Sequence, residues 1–102
     1  MTKWTLISRK PQRPEEAGLV IFDLTFEGKS PLALRFSEVE RIQVLLSNAI
    51  SGFNDEISDR FDCVPVSEHL VLKVDGIAWI ALTRSESEAL REDLNRAVNP
   101  AA

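Results

Sequence analysis

Hydrophobic and polar positions set the first expectation. Apolar residues alternate with polar ones over short runs, and twice the rhythm switches to a helical period. Around Glu27-Gly28 and again around Asp75-Gly76, two apolar, β-rich runs flank an acid–glycine pair. That arrangement predicts a hairpin. After each hairpin comes Ser-Glu-x-Glu, at Ser37–Glu40 and Ser85–Glu88. The spacing fits a capping box, with Ser37 and Ser85 as caps and Glu40 and Glu88 returning to them. Glu38 and Glu86 suit the positive helix end. The first helix carries Val39, Ile42, Leu45, Leu46, Ala49 and Ile50, with Phe53 past its end and Gly52 as its stop. The second carries Ala89, Leu90, Leu94, Ala97 and Val98 and ends at Pro100. The first is expected to be the more buried.

The two passages resemble each other residue by residue. At an offset of 48, positions 20–50 lie on 68–98 without a gap, and nine of 31 are identical. The identities include Gly28/Gly76, Ser37/Ser85, Glu38/Glu86 and Glu40/Glu88. We read an internal duplication. Each copy gains an earlier strand, "KWTLISRK" in the first and "RFDCVPV" in the second, where Pro65 limits the strand to an edge or marks a strand end. The segment "PQRPEEAG" reads as a loop. The expected fold is α+β: a single domain over 1–102, built from pseudo-repeats at about 1–52 and 53–102. Tandem β-β-β-α units would form one mainly antiparallel sheet of six strands, with both helices packed on one face.

Face parity then chooses the turn. A three-residue loop, Val74-Asp75-Gly76, groups Leu70 and Leu72 with Ala78, Ile80 and Leu82. In the first copy it groups Phe22 and Leu24 with Ser30, Leu32 and Leu34. The same parity points His69, Val71, Lys73, Ile77, Trp79 and Ala81 away from the helices in the second copy. In the first copy it points Ile21, Asp23, Thr25, Lys29, Pro31 and Ala33 outward. The second set is an apolar patch centred on Trp79, of the kind that marks an interaction surface. A terminus or the 9–18 loop lying over Trp79 is the competing explanation.

Composition narrows the classes. The chain has 102 residues, 44% hydrophobic and 27% charged, enough for one modest core. No apolar run approaches the ~18–20 residues that span a bilayer, so no membrane is expected. One cysteine and no apolar leader predict a cytoplasmic chain. A formal net charge of −4 disfavours nucleic acid as partner.

Candidate chemistry is sparse. Cys63 and His69 fall on neighbouring expected strands, and a thiolate–imidazole pair can act as a nucleophile. No orienting third group accompanies them, and cysteine is commonly a core residue. Asp55, Glu56, Asp59 and Asp62 form an acidic loop without the alternating ligands and central glycine of a calcium site. Gly28 and Gly76 are isolated, so no phosphate-cradling loop is formed. No catalytic residue, cofactor or metal is therefore expected. The expected function is a small non-enzymatic interaction or regulatory module. It would be a homodimer or bind a protein partner through Val71, Lys73, Ile77 and Trp79. In architecture alone, tandem strand-rich repeats each ended by a helix resemble single-strand nucleic-acid-binding domains of the Pur type. That resemblance implies an alternative in which Trp79 stacks on bases while Lys73 and Lys29 meet phosphates.

Overall fold

A computed structural model describes residues 3–52 and 60–99. Strands β1 (Trp4–Arg9), β2 (Ile21–Phe26) and β3 (Leu32–Arg35) precede helix α1 (Phe36–Ile50). Strands β4 (Phe61–Val66), β5 (His69–Val74) and β6 (Ile77–Thr83) precede helix α2 (Arg84–Val98). A short 3-10 turn, Pro14–Glu16, interrupts the connection from β1 to β2. β2 and β5, and likewise α1 and α2, begin and end 48 positions apart.

The class is α+β, but the strands do not join into one sheet. They form two antiparallel three-stranded sheets, in the orders β1-β2-β3 and β4-β5-β6. The single six-stranded sheet expected from the sequence is corrected accordingly. Each sheet is a consecutive meander, which short antiparallel connections produce. α1 touches β2 and β3 of the first sheet and β4 of the second, while α2 packs on β5, β6 and α1.

The buried residues of both halves form one cluster. β2 contributes Phe22, Leu24 and Phe26, β3 Leu34, β4 Phe61 and Cys63, β5 Leu70 and Leu72, and β6 Leu82. α1 buries Val39, Ile42, Leu45, Leu46 and Ala49, the stripe its sequence spacing demands. α2 buries Leu90 and Leu94, with Ser87 at the place Val39 holds in α1. The Ser87 hydroxyl is satisfied by donating to the Thr83 carbonyl at 2.9 Å. Phe53 and Pro100 lie outside the described residues. Among the described residues, no helix is long and apolar enough to cross a membrane.

Each helix starts earlier than the serines suggest. β3 and β6 run straight into the helices, so the last strand residue, already extended, serves as N-cap. Thr83 Oγ1 accepts from the Glu86 N–H at 3.2 Å, and Glu86 returns to the Thr83 N–H at 2.9 Å. In the first half the Arg35 N–H donates to Glu38 Oε1 at 3.0 Å. The Arg35 side chain has no acceptor, so only half of that box forms. Ser37 and Ser85 sit inside the first turn, and Glu38 and Glu86 are the returning residues.

Candidate interaction surface

The hairpin β5–β6 decides what each face of the second sheet presents. Val74 pairs with Ile77, so the loop is the two residues Asp75 and Gly76 rather than the expected three. Both have left-handed backbones, with φ of 54° and 79°, as a twist-matched hairpin turn requires. The register then slips: Lys73 faces Ala78 but Leu72 faces Ile80. Trp79 is the extra residue of a β-bulge. Beyond the bulge Leu70 and Leu72 share the inner face with Ile80 and Leu82, as the parity argument expected, but Ala78, expected with them, pairs with Lys73 on the outer face. In the first half the loop is longer, 27–31, closed by the Lys29 N–H donating to the Phe26 carbonyl at 3.0 Å.

The bulge moves Trp79 off the face on which simple alternation put it. Its indole is half-buried against the core, edge-on to Phe26 with ring centroids 4.8 Å apart. Trp4 flanks the other side of Phe26, with centroids at 6.0 Å. The Trp4 Nε1–H donates to Asp93 Oδ2 on α2 at 2.9 Å. Phe26 therefore stands between two indoles, and the trio couples the first sheet to the second. The expectation that Trp79 projects away from the core is corrected. Simple alternation also left Trp4 without a role, since its partner Asp93 is 89 positions away.

Three rows cross the outer face of the second sheet. Asp62, Lys73 and Ala78 form one row, and Val64, Val71 and Ala81 the next. The third is Val66, His69 and Thr83. Val64, Val71 and Lys73 are half-buried, while Ala78, Ala81 and His69 are exposed. Val66 is 53% exposed. Of the expected contact residues, Val71 and Lys73 share this face. Ile77 is 72% exposed but sits at the hairpin tip on Val74's side, and Trp79 points inward.

The first sheet differs. Its outer face carries Arg9, Asp23 and Ile21, and the connection after β1 folds over the Arg9–Ile21 end, leaving Ile7 and Ala33 exposed. The Arg9 guanidinium meets both Glu16 oxygens at 3.0 Å and Asp23 Oδ2 at 2.9 Å. The Gln12 N–H adds a bond to Glu16 at 3.1 Å. Those donors hold the Glu16 carboxyl down at about 2, with Arg9 the larger cause. Beneath this clamp Ile21 is only 2% exposed. The loop that sequence reasoning weighed as a cover for Trp79 covers Ile21 instead.

The remaining chemistry is not assembled. Cys63 faces the core opposite Leu72, whereas His69 lies on the outer face. Burial, and secondarily Asp62, pushes the thiol up to about 11, which keeps it protonated and unreactive. Asp55, Glu56 and Asp59 lie outside the described residues. Among the described residues no three His, Cys, Asp or Glu side chains cluster as metal ligands. Trp79, Lys73 and Lys29 do not share a face: one is inward, one outward, and one is in the loop of the other sheet. No protein-family model, curated protein or solved structure matches the chain.

Proposed function

We propose that the chain is a small non-catalytic interaction module that pairs with a second copy of itself through the outer face of its second sheet. The observation that carries this is the aliphatic row Val64–Val71–Ala81, whose counterpart on the first sheet, Ile7–Asp23–Ala33, is broken by a carboxylate held to Arg9. The face is complementary to itself. A two-fold axis running along the strands between β4 and β5 lays Val64 on the partner's Val71. The same axis lays Asp62 on the partner's Lys73, because Asp62 and Lys73 are register neighbours, as are Val64 and Val71. The corresponding element bounds of the two halves support descent from one β-β-β-α unit. A single buried thiol suits a reducing compartment.

Size sets the strength. Three strands about 4.8 Å apart and about six residues long give a face of roughly 300 Å². A standard stable interface needs about 800 Å² per partner. The pairing is therefore weak and concentration-dependent.

Sedimentation across a wide concentration range tests the reading. The wild type is expected to move from monomer to dimer, and Val71→Lys to remain a monomer while folded. Asp62→Lys should weaken pairing, and adding Lys73→Asp to it should restore it. A wild type that stays monomeric at the highest concentration, or a double exchange that restores nothing, overturns the proposal.

A further inference from the structure

β3 is the free edge of the first sheet, since the strand order is β1-β2-β3. A groove of about 350 Å³ runs along it, and every residue from Pro31 to Arg35 lines it. Arg13, Glu38 and Arg60 also line it. Five consecutive lining residues mean that the groove follows the backbone of β3, and Ile21, Glu15 and Glu16 continue it onto the outer face.

The orientation of that backbone is fixed by one hydrogen bond. The Arg35 N–H donates to Glu38 Oε1 at 3.0 Å, so it points away from β2. Along a strand the direction alternates with each residue, so the Ala33 N–H and C=O also point into the groove. Leu32 and Leu34 turn instead toward their register partners Leu24 and Phe22. The exposed, small Ala33 side chain leaves room beside it on the outer face.

The charges on the walls are unequal in what they have left to offer. Glu16 spends both carboxylate oxygens on Arg9. Glu38 gives one oxygen to the Arg35 N–H and the other to Arg60 Nη1 at 3.1 Å. Among the described residues no carboxylate pairs with the Arg13 or Arg35 guanidinium, and exposed Glu15 is the one remaining acid on the lining. Open guanidiniums beside an open strand edge favour carboxylates presented on an extended chain.

We propose that this groove binds an acidic, extended peptide segment, which adds to β3 as a further antiparallel strand. A residue paired with Ala33 places its side chain on Ala33's face, next to Arg35. That residue is acidic, and its own N–H and C=O are the ones bonded to Ala33. The residues between are turned away and contribute no backbone bond. Pro31 has no N–H and ends the ladder, so the site reads only a short stretch.

The probe is acetyl-Glu-Val-Glu-Val-Glu-Val-amide, titrated into the full chain and followed by amide NMR shifts. Saturable shifts at 32–35 and at Arg13 are expected. Methylating the Glu amide nitrogens should abolish them, and methylating the Val amide nitrogens should leave them. Arg13→Glu should weaken binding about tenfold. The matching Lys-Val peptide should not bind. Equal loss from both methylation patterns overturns strand addition. Equally tight binding of free glutarate reduces the groove to a simple anion site and overturns the proposal. Absence of shifts, or shifts confined to the outer face of the second sheet, also overturns it.

Discussion

Ser67 turns the β4–β5 hairpin with φ at 56°, a left-handed backbone that a side chain strains. Val66 and His69 pair directly, so the strain is confined to a two-residue loop. Ser67→Gly should raise stability by roughly 0.5–1 kcal/mol, relief of strain outweighing the looser unfolded chain. Urea denaturation with an unchanged slope would measure it. A second residue-scale prediction concerns acid. Glu16 has its carboxyl lowered from 4.5 to about 2 by Arg9 and the Gln12 N–H. A lowered carboxyl stabilises the fold above its unfolded value, and that contribution is lost as pH falls from about 4.5 toward about 2. Glu16→Gln should be less stable at neutral pH and show a flatter acid limb over that window. At this scale the sequence was partly legible. A lone cysteine in an apolar strand reads as core, and Cys63 is core. The Arg9–Glu16–Asp23 clamp was not, because nothing local distinguishes these charges from any solvated loop.

At the scale of elements, α2 has a complete cap and α1 half of one. Thr83→Ala should therefore cost about 1 kcal/mol in thermal or chemical unfolding, while Arg35→Ala should cost much less. The order of strands and helices was readable because hydrophobic period and turn residues agreed at each step. The caps were misplaced for a physical reason. A strand that enters a helix without a loop uses its own last residue as cap, and both serines then fall inside the first turn. The hairpin face was misjudged for another. Period-two reasoning assumes no inserted residue, and the bulge at Trp79 inserts one.

At the scale of the molecule, the aromatic trio joins what the backbone leaves separate. Trp79→Ala should destabilise the whole chain by about 2–4 kcal/mol, below or within the range for a large core truncation because the indole is half-exposed. A single cooperative transition shifted for both halves is the expected readout, with fluorescence and far-UV dichroism coinciding. Loss confined to the second half would show that the contact does not couple them. The division into two sheets was illegible because joining strands across halves depends on distant packing, here on where α1 settles between β3 and β4. Connection length set which sheet gained a cover: eleven residues separate β1 from β2, and only Ser67 and Glu68 separate β4 from β5. Pairing through the second sheet, as proposed, would occupy the same half-open face around Val71 on both chains. An isologous contact of that kind closes on itself, so assembly through that side would stop at two chains.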